Sequence, residues 1–178
     1  MLCYWNLAGV AFVYCFQSIF IYHRGPQYDL GTPYTVALFL TLILAYYVWD
    51  TSNSQKNRFR MQRIGTFFER PWAFPQLPWG TLRGNVRSIK CENGGTILTD
   101  GWYRYARKIH YTADTIMALT WGLSCGVTHI LPFFYAAFFT GMIYHRGSRD
   151  MERCAKKYGK DWETYCKTVP YLFIPYVY

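Results

Sequence analysis

The chain reads as an all-α polytopic membrane protein, with about four transmembrane helices and interfacial helices in its C-terminal tail. Two observations predict this class. First, 52% of the 178 residues are hydrophobic, and they fall in blocks instead of spreading along amphipathic elements. Residues 2–22 contain no Lys, Arg, Asp or Glu over about one bilayer-length of helix. Further blocks at approximately 34–50, 109–126 and 129–145 give four spans within a single membrane domain, 1–178. Second, the basic residues are grouped. Eleven Lys and Arg lie from Lys56 to Lys108 and seven from Arg146 to Lys167, with Arg24 alone between the first two blocks. With four spans, this grouping puts the loop 51–108, the tail 146–178 and both chain ends in the cytosol.

Taken in order, the first span ends at Tyr22-His23-Arg24-Gly25-Pro26, and a short turn runs to Gly31-Thr32-Pro33. Gln17 and Ser18 are the only clustered polar residues of that span and are placed to face a neighbouring helix. The second span runs into Asn53-Ser54-Gln55-Lys56-Asn57-Arg58-Phe59-Arg60. If the helix continues, Asn53, Lys56 and Arg60 share one face. Spacing alone leaves open whether they clamp a phosphate or anchor the helix at the cytosolic surface. The stretch from Gly65 to Gly95 holds Pro71, Pro75, Pro78 and several glycines and reads as a loop. Its Trp72, Phe74, Leu77 and Trp79 suit a loop on the membrane interface or folded over a pocket.

The third span is entered through GWYRYARKIHYTAD, residues 101–114. Asp114 falls inside the apolar block, where a carboxylate costs roughly 2.5–3.5 kcal/mol, so it is a functional candidate. The competing reading is a structural pair with Arg107. Cys125-Gly126-Val127-Thr128-His129 is too short for anything but a hairpin, and Pro132 falls near the start of the fourth span, where a helix tolerates it. Beyond that span, His145 and Arg149 share one stripe, and Arg146, Asp150 and Cys154 the next. Gly159 can end this helix, and Asp161 can cap a short one ahead of Trp162 and Tyr165. The result is a polar pocket suited to an anionic ligand, or a basic segment held by lipid headgroups.

Several functions are excluded. The positive charge has a topological explanation and no free basic domain, so nucleic acid is not a partner. The six cysteines show no metal-ligand spacing and read as reduced thiols, with no metal site. No GxGxxG, Walker motif, paired catalytic carboxylates or nucleophile elbow is present. Any nucleotide cofactor would therefore be gripped by side chains between helices.

The ordered series His145-Arg146, Arg149-Asp150, Arg153-Cys154, Lys157-Tyr158-Gly159, Trp162, Tyr165 and Val169-Pro170-Tyr171…Ile174-Pro175-Tyr176 resembles the C-terminal signature of the sterol reductase family. Those enzymes reside in the endoplasmic reticulum membrane, are multi-pass and reduce sterol double bonds with NADPH. Asn53–Arg60 resembles the family's NSQK…R motif, which implies that Lys56 and Arg60 contact the cofactor phosphates. Arg146 is suited to a bidentate phosphate or ribose-phosphate contact, and the resemblance adds Trp102 and Tyr165 for stacking or ring contacts and Asp150 as an acceptor. His110 takes the place of a family Asn at a cofactor-binding position, so an amide contact does not transfer unchanged. Asp114, Tyr111 and Asp150 are the candidate catalytic acids. Phe74–Leu82 and Lys108-Ile109-His110-Tyr111 resemble the branch that reduces the C24(24(1)) side-chain alkene.

The resemblance covers only the C-terminal half of family members. It implies a sterol substrate and membrane lipids as partners, together with an N-terminal half or other enzymes of sterol biosynthesis. The alternative readings are a C14 or C7 sterol reductase, an isoprenylcysteine-type membrane methyltransferase, and a non-catalytic lipid-binding scaffold.

Overall fold

The computed structural model describes residues 15–25, 28–68, 80, 82 and 84–177. In chain order these form α1 (residues 15–24), α2 (Thr32–Ile64), the strands β1 (Ser88–Lys90) and β2 (Thr96–Leu98), α3 (Ile109–Leu123), α4 (Phe134–Tyr158) and α5 (Lys160–Thr168). Two 3-10 turns, Gly101–Arg104 and Leu131–Phe133, precede α3 and α4. Most of the block 2–22, and the aromatic loop residues Trp72, Phe74, Leu77 and Trp79, lie outside the described residues.

The expectation of four membrane spans is corrected. Among the described residues, one helix is long and apolar enough to cross a bilayer: α2, with a mean hydropathy of 1.4 over its best window. Val36, Phe39, Leu40, Ile43 and Leu44 on that helix are all exposed, as lipid-facing side chains would be. By contrast, α3 has 15 residues and rises only about 22 Å, short of the hydrocarbon thickness. The 25 residues of α4 are apolar only as far as Ile143 and densely charged from Arg146 onward. The apolar run of 109–145 is broken where Gly126 turns at φ 71° and the chain enters a 3-10 turn. The multi-pass arrangement expected in the endoplasmic reticulum membrane is corrected accordingly, to one candidate span among the described residues. The loop expected at 51–108 is also more structured than predicted, since α2 continues to Ile64 and a hairpin follows.

Two compact units are present, one of Met1–Leu44 with Thr115–Met142, the other of Ala45–Asp114 with Ile143–Tyr178. In the first, two tyrosines satisfy carbonyls left open at the end of α3. The Tyr34 hydroxyl donates to Leu123 O at 2.9 Å and the Tyr28 hydroxyl to Cys125 O. Gly126 is required here twice over, by its positive φ and because a Cβ would run into the Tyr28 hydroxyl. Trp121 stacks on Tyr135 at 5.7 Å, and a Cβ on Gly122 would lie 2.8 Å from the Phe133 ring.

The second unit has the clearer core. Trp162, Tyr165 and Val169 recur at helical spacing along and just beyond α5 and are buried. They pack with Ile89 and Ile97 of the hairpin, and with Met151, Cys154 and Tyr158 of α4. The strands pair antiparallel with Ile89 opposite Ile97, and Gly94 at φ 77° allows the tight reversal between them. Asn93 Nδ2 donates to Lys157 O at 2.9 Å and Glu92 N to Asp161 Oδ2 at 2.8 Å, tying the hairpin to the α4–α5 junction. Gly159, at φ 51°, makes that junction as expected. Asp161 does not cap α5, because its carboxylate is taken by the hairpin.

Removing the central ring of this core leaves a cavity as well as a transfer loss. Trp162→Ala should cost about 3–5 kcal/mol and accelerate proteolytic cleavage in the hairpin. Unchanged protease resistance would remove Trp162 from the core.

Candidate functional site

Within the second unit, the start of α3 is held by the segment that follows α5. Arg107 N donates to Tyr171 O at 3.0 Å and Lys108 N to Leu172 O at 2.8 Å. Thr112 Oγ1 donates to Phe173 O at 2.6 Å, and the Arg107 guanidinium to Pro170 O at 3.0 Å. The Tyr171 and Leu172 carbonyls thus accept from main-chain N–H groups at the entry to α3, which have no partner within the helix. Gly147 of α4 admits the Phe173 ring, which would lie 2.9 Å from any Cβ there. Arg107 also reaches Cys166 Sγ at 2.7 Å. With its guanidinium committed to this segment, Arg107 does not form the structural pair with Asp114 that was the competing reading.

Once α3 is anchored, Lys108, His110 and Tyr111 face Asp150 of α4. Lys108 Nζ lies 2.9 Å from Asp150 Oδ2, and the Tyr111 hydroxyl donates to the same oxygen at 3.4 Å. Burial pushes the Asp150 carboxyl up, but Lys108, the Tyr111 hydrogen bond and Arg146 outweigh it and hold the group below its ordinary range. Asp150 is therefore an acceptor at neutral pH. The His110 ring lies 4.3 Å from that of Tyr111 and 6.2 Å from that of Tyr103. Lys56 Nζ stands 5.7 Å from the Tyr103 ring centroid, within cation–π distance.

The 3-10 turn presenting Trp102 and Tyr103 is fixed from both sides. Asp100 accepts from Arg87 N at 3.1 Å and from Gly101 N at 2.8 Å. The Arg87 hydrogen bond, reinforced by that from Gly101, keeps its carboxyl low against the effect of burial. On α2, four residues apart, Thr51 Oγ1 accepts from Trp102 Nε1 at 2.7 Å and Gln55 Oε1 from Trp102 N at 3.0 Å. An open cavity of about 690 Å³ adjoins this turn, lined by Gln55, Leu82, Trp102, Tyr105 and Ile109 among others.

At this site, among the described residues, the Tyr103 hydroxyl and His110 Nδ1 are buried without a hydrogen-bond partner. Their side chains are 3% and 8% exposed, so solvent does not satisfy them. The charges of Lys56, Lys108, Arg146 and Asp150 all act on the His110 ring. Burial drives the Tyr103 phenol well above its ordinary pKa, and the neighbouring Tyr165 and Tyr111 add to the effect. Tyr103 therefore stays protonated. Orphan hydrogen-bonding atoms among three cations fit an anionic ligand that also carries neutral hydrogen-bonding groups.

Of the residues expected from sequence, Lys56, His110, Tyr111, Asp150 and the charge of Arg146 come together here. Trp102 is used as a structural tie. Tyr165 sits in the α5 core, 5.1 Å from the Trp162 ring, and burial raises its pKa in spite of Arg107. Arg60 is exposed on α2. Asp114 is half-buried, hydrogen-bonded to Trp49, and within the field of Arg146. Tyr103, Lys108, Thr51 and Gln55 were not foreseen as site residues. Thr51 and Gln55 share a helix face, but nothing in the spacing marks Tyr103 among its aromatic neighbours.

The fold and these residues define a helix-built candidate site in a chain with one helix long and apolar enough to cross a membrane among the described residues, and sequence comparison gives its family. The chain belongs to the ergosterol biosynthesis ERG4/ERG24 family, whose model matches residues 1–178. It is 48% identical to the Delta(24(24(1)))-sterol reductase of Gibberella zeae over 99% of this chain and 29% of that protein. It is 45% identical to the Delta(24(24(1)))-sterol reductase erg4A of Aspergillus fumigatus, over 98% of this chain and 37% of that protein. Identity to the Delta(14)-sterol reductase TM7SF2 of Mus musculus is 38%, covering 100% of this chain and 38% of that protein. The chain thus spans roughly a third of the length of these curated relatives.

The Lys108–Asp150 pair sets a pH dependence. A carboxyl whose pKa is depressed on folding contributes stability above its unfolded value, about 3.9 for Asp, and loses it as pH falls through the folded value. Lys108→Met should therefore lower the thermal midpoint at neutral pH. The gap from the parent chain should close as pH drops below about 4. A gap that persists unchanged in acid would show that the pair does not contribute through Asp150.

Proposed function

We propose that the chain carries the cofactor-gripping part of an NADPH-dependent reductase that saturates a sterol carbon–carbon double bond, the C24(24(1)) side-chain alkene. The observation that supports this most is the pair of buried, unpartnered atoms, Tyr103 hydroxyl and His110 Nδ1, beside Lys56, Lys108 and Arg146. Higher identity to the two Delta(24(24(1)))-sterol reductases than to the Delta(14) enzyme favours the side-chain alkene.

In this reading Lys56, Arg60 and Arg146 take the cofactor phosphates, with enough positive charge for a 2′-phosphate as well as the pyrophosphate. Tyr103 and His110 supply neutral hydrogen bonds, and Trp102, tied to Thr51 and Gln55, fixes the turn that presents Tyr103. NADPH, when bound, supplies a hydride to one alkene carbon, and the neighbouring carbon needs a proton. Asp150, held ionised by Lys108, is not the donor; it orients the Tyr111 hydroxyl, which holds the proton on Oη. Asp114, with Trp49 hydrogen-bonded to it, is the second acid of the site.

Arg146→Gln should weaken NADPH binding by about 1.5–3 kcal/mol, tenfold or more, since a charge-assisted contact is lost. Intrinsic fluorescence titration measures this, and an unchanged affinity would remove Arg146 from the site. Separate assays with Δ24(24(1)), Δ14 and Δ7 sterols test the substrate. Product from a ring alkene and none from the side-chain alkene would overturn the C24(24(1)) assignment.

A further inference from the structure

A groove of about 520 Å³ opens on another side of the second unit. One wall is a face of α4 presenting Tyr144, Ser148 and Met151; Arg107 and the segment after α5, with Tyr171, Leu172 and Val177, supply the rest. Lys56, Tyr103, Lys108, His110 and Asp150 take no part in it. Its volume lies in the range of small-molecule sites.

Arg107 is the only charged residue of this lining, and it is half-buried. Its acceptors are all neutral. Nη2 donates to Pro170 O at 3.0 Å, Nε to Tyr171 O at 3.5 Å, and Nη1 to the Cys166 and Met151 sulfurs at 2.7 and 4.0 Å. A guanidinium has five N–H groups, so one on Nη2 is left over. The charge has no counter-charge either. Of the acids flanking Met151, Asp150 is paired with Lys108 and Glu152 is exposed, and neither lines the groove.

The other lining groups add donors. The Tyr144 and Tyr171 hydroxyls have no hydrogen-bond partner among the described residues, and neither do the main-chain N–H groups of Tyr171 and Leu172. The carbonyls of those two residues already accept from Arg107 N and Lys108 N. Ser148 gives its proton to Tyr144 O at 3.1 Å and keeps only acceptor capacity. One positive charge and several free donors thus face a groove without an acid.

An ammonium group would be repelled by Arg107 and would find no carboxylate. A wholly apolar ligand would desolvate the guanidinium without compensating it. A small inorganic anion would use the charge and leave the Met151, Leu172 and Val177 surface in water. An anion on an apolar body uses both. The surroundings point to a lipid. Tyr144 and Val177 are 58% and 75% exposed, and Tyr176 beside Val177 is 80% exposed. On α4 the sequence turns from apolar to charged between Ile143 and Arg146, and Tyr144 stands at that change, the level where tyrosines meet lipid headgroups. We infer that this groove seats an acidic phospholipid whose headgroup has no ammonium, with its phosphate on Arg107 and the Tyr144 hydroxyl and its acyl chain along Met151, Leu172 and Val177.

The test places the full chain in nanodiscs of equal parts phosphatidylglycerol and phosphatidylcholine with the same acyl chains. Native mass spectrometry counts the lipid that each chain retains. Ammonium acetate at about 0.5 M, where the Debye length is about 4 Å, screens the exposed Arg149 and Arg153. Phosphatidylglycerol should be retained about three- to tenfold more often than phosphatidylcholine, the worth of one hydrogen bond to a half-buried charge. Ser148→Phe fills the groove from an exposed position whose hydroxyl bonds only its own helix. It should abolish the preference with helix content, read by circular dichroism, unchanged. Arg107→Gln should abolish it too. If losing the contacts to Pro170 and Tyr171 unfolds that variant, Ser148→Phe decides alone.

Equal retention of the two lipids overturns the inference. So does a preference that persists in Ser148→Phe or in a folded Arg107→Gln. Displacement of phosphatidylglycerol by an equal concentration of oleate or inorganic phosphate overturns the phospholipid as occupant.

Discussion

The second unit depends on a short run of main-chain carbonyls. Pro170, Tyr171, Leu172 and Phe173 accept in turn from the Arg107 guanidinium, Arg107 N, Lys108 N and Thr112 Oγ1. A helix start leaves N–H groups unpaired, and here Ala106, Lys108 and Ile109 are buried, so those groups need acceptors from the protein. Here a later part of the chain supplies the acceptors. That fixes the rotation of α3, and the rotation decides whether Lys108 and Tyr111 reach Asp150. The Phe173 ring over Gly147 closes the same contact from the α4 side. An aromatic side chain and a missing Cβ thus set the spacing on which the ion pair relies.

The site is built around imbalance. Structural ties such as Trp102 to Thr51 and Gln55 are fully used, and they hold the 3-10 turn rigid. Beside them, the Tyr103 hydroxyl and His110 Nδ1 are buried with nothing to bond, at an energetic cost that the rest of the unit offsets. Native proteins keep few such atoms, and the adjacent charges of Lys56, Lys108 and Arg146 suit an anion that also carries neutral polar groups. Asp150 plays a different part. It pairs with Lys108, accepts from the Tyr111 hydroxyl, and is held below the ordinary carboxyl range by both.

Much of this was legible in the sequence, in proportion to how local the physics is. The glycine that reverses the chain after α4 and the helix carrying Arg146 and Asp150 follow from short-range pattern, whereas the continuation of α2 through Asn53–Arg60 was only a conditional reading. The membrane topology did not. Counting apolar residues from 109 to 145 merged a 15-residue helix, a hairpin and the apolar end of α4 into two full spans. Hydropathy is a property of composition and does not register where the backbone leaves the helix. The hairpin Ser88–Leu98 was missed for the converse reason: three-residue strands carry almost no periodic signal, and they are held by their packing on α5.

By itself, then, the sequence determined the family, the apolar helix α2, and the stripe on α4 that carries Arg146 and Asp150. These follow from residue type and from spacings within a few turns. Only the tertiary structure decided that Arg107 binds the segment after α5 instead of Asp114, that Lys108 takes Asp150, and that Tyr103 ends up buried with its hydroxyl unpaired. Each of those outcomes turns on groups about 40 to 60 residues apart competing for one partner. Such a competition is settled by which backbone atoms arrive within about 3 Å, and no local spacing encodes it.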